Sequence, residues 1–543
     1  MQANSLSKIA FIFGGMIAVL FVVFDLFTSG GNAVAQLYRY LLVGGAIYGL
    51  LSPRSAFYLL IALTAYLDFT KRLMIFDSGI SKMDLYYVLG VAPALMCGIA
   101  AHTFYSLLIT GQETRPGLVK LAIFTVSIAG FLGVMGLMGS TNRFQALGDS
   151  VNATVYLLLL PVVPKLFRSP EELRKLLKFV MIVYTPAVLY MLVHWFRATF
   201  LNMNPPIFGW ELDYVKSGLT IEIRQLAERK FRPFGTFNSA SNASMVFAAV
   251  LGVVCSGLWK QPFAGHPNGG GRVGRLILAV FLVIAMYATY SRTGWVFAMV
   301  ILVVPALFRS RFTTIAAYSA GIIATILMVF SAPYLLKHKI LNQISLDMYS
   351  STARTDEMAQ VTNISTMNDR LEGFEALVKN SKIWTPFGFR FAYVNPESVK
   401  QSIYVHDAVS AALIKYGYVP LALGGIAVLV LLRRMHGYVL VEQQPLARYM
   451  ASSCLAVGFV LCLGTLVNSA QLITYPINFW IWFMFSCVVA LMFWRAEVAL
   501  APAAEEETDA KLAVAPRQPR QPRRPATPRF GGRSLRPDSS IRI

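Results

Sequence analysis

The chain has 543 residues, of which 56% are hydrophobic and only 14% charged, against roughly a quarter charged in ordinary globular proteins. A soluble chain of this length would divide into several domains with charged surfaces, which this composition cannot cover. An aqueous enzyme, a disordered scaffold and a fibrous protein are thereby excluded. Apolar runs of about 15–25 residues recur from end to end, the length that crosses about 30 Å of hydrocarbon as helix. The predicted fold class is an all-α polytopic integral membrane protein with about fourteen transmembrane helices and a large, partly helical outside loop.

The formal net charge of +21 would suit nucleic acid, but its distribution points elsewhere. Much of the excess lies in short loops between apolar runs and in the tail, where positive-inside topology and anionic lipid account for it. Membrane lipids are the expected partners, and nucleic acid is not. The five cysteines, Cys97, Cys255, Cys454, Cys462 and Cys487, all fall in apolar runs without paired spacing, as small buried hydrophobes would.

The first apolar run, 9–27, follows Lys8 and precedes Ala33-Val34-Ala35, a superficial signal-peptidase site. It is longer than a signal h-region and another span follows directly, so it reads as an uncleaved first span. Later spans are predicted at 37–51, 56–70, 85–110, 118–139, 153–167, 176–196, 241–259, 275–290, 294–308, 313–331, 407–432, 449–468 and 472–494. The pair at 37–51 and 56–70 is short enough to be re-entrant or frayed. With the N-terminus inside, the inside loops hold Arg54, Arg115, Lys165, Arg168, Arg174, Arg275, Arg309, Arg433 and Arg448, among others, and an even span count returns the C-terminus to the same side. Lys71, Arg72 and Lys82, read as a short outside loop, are the exception.

This reading divides the chain into N-terminal transmembrane helices (1–196), a first long outside loop (197–240), central transmembrane helices (241–331), a large outside loop (332–406), C-terminal transmembrane helices (407–495) and a basic Pro/Arg-rich tail (496–543). Structureless loops of such length are uncommon in compact proteins unless they are functional. From Asp369 the larger loop shows a helical pattern in Leu371, Phe374, Leu377 and Val378. In the tail, Glu505, Glu506 and Glu507 precede repeated Pro-Arg units, and nine Lys/Arg stand against one acid from Lys511 onward. Proline and the lack of apolar residues predict disorder there, serving attraction to anionic lipid or recruitment of a partner.

Position sorts the histidines. His266 and His436 fall in basic loops, His102 and His194 lie near span ends, and His338 stands near lysines. His406 differs, standing where the large outside loop meets the membrane in Val405-His406-Asp407-Ala408. A short helix is predicted from there to Tyr416, with Gly417 as its stop and Pro420 opening the next segment. Arg292, in Tyr290-Ser291-Arg292-Thr293-Gly294, sits between two apolar runs with almost no loop; a charge at that depth is a functional-site hypothesis, with snorkelling to headgroups as the bland alternative. Arg232 lies in Phe231-Arg232-Pro233-Phe234-Gly235-Thr236-Phe237 just before a span, and Arg370 opens the helical stretch of the large loop. Together they predict an outside-facing cationic pocket for phosphates, because guanidinium forks match phosphate oxygens and stay charged. Glu211 and Asp213 form an acid-x-acid pair with no accompanying cluster, so no metal site and no cofactor are predicted. Gly269, Gly270 and Gly271 read as a flexible loop rather than a nucleotide cradle.

These residues resemble the O-antigen ligase and O-antigen polymerase superfamily of bacterial surface-polysaccharide assembly. Its signature pairs His with Asn, Ser or Gln, then after nine residues places Gly with a small or turn residue three further on. His406-Asp407, Gly417 and Pro420 fit that spacing, with Asp departing from the usual second residue. Arg370, Phe374 and Pro386-Phe387-Gly388 look like the family's loop run, and the stretches at Arg232 and Ser291-Arg292 resemble its other arginine motifs. The resemblance covers roughly 230–430. It implies a metal-independent inverting glycosyltransferase of the bacterial inner membrane, with cytoplasmic termini and a periplasmic active site. The implied donor is a polyprenyl-diphosphate-linked oligosaccharide, and the implied acceptor is a lipid-linked repeat (polymerase) or lipid A core (ligase). On that reading His406 is the catalytic base, Arg232, Arg292 and Arg370 bind the diphosphate, and polysaccharide-assembly and chain-length proteins are candidate partners. A transporter of polysaccharide or lipid-linked glycan stays open, although no internal repeat of the usual transporter kind is visible.

Overall fold

A computed structural model describes residues 33–77, 82–110, 115–138, 150–200, 233–237, 240–256, 270–289, 297–298, 300–301, 308, 384–388, 412–413, 415–468 and 475–514. Regular structure among the described residues is entirely helical. The helices are α1 (Ala33–Leu51), α2 (Pro53–Asp77), α3 (Lys82–Phe104), α4 (Pro116–Met138), α5 (Ser150–Leu166), α6 (Pro170–Phe200), α7 (Ala240–Ser256), α8 (Gly270–Ala288), α9 (Tyr418–Val441), α10 (Pro445–Asn468) and α11 (Ile477–Val514). Six stretches are long and apolar enough to cross a membrane: Tyr87–Ile109, Gly117–Gly136, Pro170–Arg197, Tyr418–Val441, Pro445–Gly464 and Ile477–Val498. The protein is a multi-pass membrane protein. Ser150–Leu166, Ala240–Cys255 and Val273–Ala288 are shorter apolar helices.

Contacts divide the chain into Met1–Trp494 and Arg495–Ile543. The first unit is held by a core in which Phe57, Phe167, Tyr184, Phe247 and Trp480 are fully buried. Its rings meet edge to face: Phe57 stands 5.5 Å from Phe167 and Tyr184 5.5 Å from Trp480, the geometry that opposes ring edge to ring face. Where no such rings intervene, glycine lets backbones touch. A Cβ on Gly98 of α3 would collide with the Ala46 carbonyl of α1, and one on Gly49 would stand 2.6 Å from Leu95 O. This is the close small-residue packing on which membrane helices rely, since lipid offers no hydrophobic drive for them to associate.

Several sequence expectations change. The first short pair is not frayed, since α1 and α2 are continuous helices of 19 and 25 residues. Lys71 lies inside α2, not in a loop: it is 5% exposed, and its Nζ pairs with Asp68 Oδ1 at 3.1 Å one turn earlier. Its charge is matched within the helix, which removes it from the topology count. The span predicted to begin at 407 begins at Tyr418 and runs to Val441, because Gly417, at φ 86° and ψ 173°, breaks the helical path. α11 continues to Val514, through the first part of the expected tail. Its alanine- and glutamate-rich stretch favours helix. The predicted spans 9–27 and 313–331 and the Pro-Arg units from 516 lie outside the described residues.

Candidate functional site at one end of the bundle

The two ends of the helical unit differ in chemistry. At one end Arg54 Nη2 meets Glu172 Oε1 at 2.6 Å, joining the starts of α2 and α6. Arg174 of α6 and Arg275 of α8 lie within electrostatic range of each other there, concentrating positive charge, and Arg433 and Arg434 are exposed near the end of α9. The opposite end gathers the last turns of α2 and α6, the start of α5, the turn preceding α7, and the starts of α9 and α11. The neighbourhoods of the sequence motifs converge at this second end.

The most constrained feature is a turn at residues 384–388 seated on the start of α9. Gly417 N–H donates to Leu413 O at 2.9 Å and ends a helical stretch. Tyr418 N–H then donates to Thr385 O at 3.0 Å, and Val419 N–H to Pro386 O at 3.2 Å. The first amides of a helix have no partner within it; here a turn more than thirty residues upstream in the sequence supplies two of them. Pro420 has no N–H to satisfy, and Leu421 N–H returns to Gly417 O at 3.3 Å. Both glycines at the junction adopt positive φ, 94° at Gly388 and 86° at Gly417. A Cβ on Gly388 would stand 2.6 Å from Lys415 O, and one on Gly417 would stand 2.6 Å from Phe387 N. Gly388 is thus required by the backbone of Lys415 and Tyr416, and Gly417 by the backbone of the turn. Trp384 and Phe387 flank the junction about half-exposed, and Lys415 Nζ sits 5.3 Å over the Tyr416 ring.

The second neighbourhood is the turn at residues 233–237, closed by Phe237 N–H to Phe234 O at 3.0 Å with Gly235 at φ 59°. Both rings are buried: Phe234 stands edge-on to His194 at 5.9 Å, while Phe237 stacks on Tyr184 at 6.5 Å. Tyr184 joins a polar seam inside the bundle. Its hydroxyl shares a 2.6 Å hydrogen bond with Thr64 Oγ1 and accepts Trp480 Nε1–H at 3.2 Å. Tyr156 lies 5.8 Å from Tyr475, and Asn478 Nδ2 donates to Asn152 O at 2.7 Å. α5 connects the two neighbourhoods. Its Ser150 abuts Gly136 of α4, beside which the Lys415 side chain passes, and its Tyr156 reaches the seam.

Arg232, Arg292, Arg370 and His406 themselves lie outside the described residues. What is described are their sequence neighbours: Pro233 directly after Arg232, the buried Thr289 and Phe297 on either side of Arg292, residues 384–388 downstream of Arg370, and 412–417 downstream of His406. Among the described residues no group of three or more His, Cys, Asp or Glu side chains gathers as metal ligands would.

Sequence reasoning missed the polar seam, since Tyr156, Tyr184, Tyr475 and Trp480 read as ordinary aromatic residues of apolar runs. The one available signal was Asn478, an amide in the middle of Pro476-Ile477-Asn478-Phe479-Trp480. Comparison with family models, with curated proteins and with solved structures returns no match.

Proposed function

We propose that the protein is a membrane glycosyltransferase that moves a polyprenyl-diphosphate-linked oligosaccharide onto an acceptor glycan, polymerising surface-polysaccharide repeats. The observation that carries this reading is the seating of the turn at 384–388 on Gly417, Tyr418 and Val419 by two hydrogen bonds. Two motifs matched separately by the resemblance meet at one junction, with the turn that follows Arg232 at the same end of the bundle. In this reading the arginine-rich end faces the cytoplasm, the motif-bearing end faces the periplasm, about fourteen spans bring both termini inside, and the membrane is the bacterial inner membrane.

The chemistry suits the residues. Attack at the anomeric carbon expels a lipid diphosphate, so negative charge grows on phosphate oxygens, where fixed guanidinium groups of Arg232, Arg292 and Arg370 stabilise it. His406 takes the proton of the acceptor hydroxyl, a task for which a reference pKa near 6.5 is suited. The test uses purified protein in nanodiscs with a lipid-diphosphate oligosaccharide and chelator, its products resolved on a gel beside His406→Ala. A ladder of lengthened lipid-linked glycans, absent in the variant, is the expected result. Transfer only after lipid A core is added would make the enzyme a ligase. No product in either case, with a native donor, would sink the reading in favour of transport.

A further inference from the structure

The polar seam holds hydroxyl groups that the protein itself leaves unsatisfied. Tyr156 is fully buried and Thr236 is 3% exposed, yet neither the Tyr156 hydroxyl nor Thr236 Oγ1 has a hydrogen-bond partner, and the buried Tyr475 hydroxyl has none either. Buried polar groups are paired in the great majority of cases, so several orphans in one seam call for an occupant. They belong together. The Tyr156 and Tyr475 rings lie 5.8 Å apart, the Tyr475 hydroxyl is within electrostatic range of Tyr184, and Thr236 adjoins Phe237, whose ring stacks on Tyr184. Tyr475 is partly exposed as a residue while its hydroxyl is buried, so the seam lies close to the surface of the helical unit.

The chemistry of the orphans selects the ligand class. Tyrosine and threonine hydroxyls each donate and accept, as sugar hydroxyls do, and aromatic faces with a few placed polar groups are the usual lining of a small-molecule site. A phosphate would need cations. Among the described residues, the cation beside the seam, Lys71, is engaged by Asp68 at 3.1 Å. Resting on the glycosyltransferase reading above, we infer that Tyr156, Tyr475 and Thr236 form a subsite for a neutral sugar of the lipid-linked donor, beneath the turn that follows Arg232.

The test separates sugar from diphosphate. Full-length protein in nanodiscs is titrated with radiolabelled bare polyprenyl diphosphate and with the glycosylated lipid diphosphate isolated from native membranes. Wild-type protein should hold the glycosylated lipid more tightly. Tyr156→Phe and Tyr475→Phe, which keep the rings, should each weaken that binding about three- to tenfold, the worth of one hydrogen bond, and leave binding of the bare lipid unchanged. Thr236→Val, at a different element, should do the same and guards against a misfolded tyrosine variant. Equal affinity of wild type and all three variants for the glycosylated lipid would overturn the inference and assign the seam to water alone. Equal losses for both lipids would also overturn it, as a packing effect. Wild-type protein that binds neither lipid would instead defeat the glycosyltransferase reading, and the subsite with it.

Discussion

Replacing Gly417 by alanine tests the junction between the turn at 384–388 and α9. At φ 86° and ψ 173°, Gly417 occupies a region essentially closed to other residues, where a side chain costs about 1–3 kcal/mol. The new methyl would also crowd Phe387 N at 2.6 Å, so the turn must lift. That breaks the Tyr418 and Val419 hydrogen bonds, each contributing about 1 kcal/mol net. Together these disfavour docking by about 3–5 kcal/mol, a loss of at least a hundredfold in the docking equilibrium. The core around Phe57, Tyr184 and Trp480 is untouched, so Gly417→Ala should insert and remain folded. Hydrogen–deuterium exchange in nanodiscs reads the effect at the amides of Tyr418 and Val419, which should exchange at least tenfold faster than in the wild type. Gly388→Ala should give the same result, and the double variant little more, because either substitution alone undocks the same turn. Wild-type protection of both amides in Gly417→Ala would refute the argument.

Tyr184→Phe leaves Trp480 Nε1–H and Thr64 Oγ1 without the hydroxyl they share, so thermal stability in detergent should fall by about 1–3 kcal/mol. Lys71→Met removes the ammonium 3.1 Å from Asp68 in a largely buried site and should lower the melting temperature, whereas Lys71→Met with Asp68→Leu should recover most of the loss in the same melt. Gly98→Leu, which cannot fit against Ala46, should loosen α1 from α3, as judged by limited proteolysis. Gly130→Ala, with open space around it, should behave as wild type.

The helices of the described residues were legible because lipid-crossing segments are apolar almost throughout, a signal that survives loss of detail. Their ends were not. The predicted span 407–432 runs across Gly417 because the chain is largely apolar from Ala408 to Val419, Ser410 and Lys415 apart, although Gly417 and Pro420 already mark a helix stop and a new start in the sequence. Lys71 misled for the same reason in reverse. A charge in sequence looks like a loop, and only the partner one turn earlier makes it tolerable in a helix. The contact between residues 384–388 and 417–419 is carried by backbone atoms, which no side-chain pattern encodes. The two motifs entered the sequence reading separately, through resemblance, and their contact was not part of it. The seam of Tyr156, Tyr184 and Tyr475 assembles from three segments far apart in the chain, and nothing local distinguishes these tyrosines from the others.

Capping of α9 also bears on how a diphosphate would be held. A free helix N-terminus is a ready anion site, since its first amides point outward. At α9 that route is closed: Tyr418 and Val419 donate to the turn, Pro420 has no donor, and Leu421 bonds back to Gly417. Lys71, a buried cation towards the end of α2, is held by Asp68. If a diphosphate binds beside the start of α9, its charge is met by side chains rather than by that helix end, and the proposal assigns that role to Arg232, Arg292 and Arg370. Lysine keeps the charge of arginine and loses its planar fork. Arg292→Lys should therefore weaken binding of bare polyprenyl diphosphate about tenfold, the equivalent of one charge-assisted bond, and Arg292→Ala should weaken it further. Normal affinity in Arg292→Lys would mean that this arginine does not clamp the phosphates through paired hydrogen bonds. Normal affinity in Arg292→Ala as well would remove it from the site.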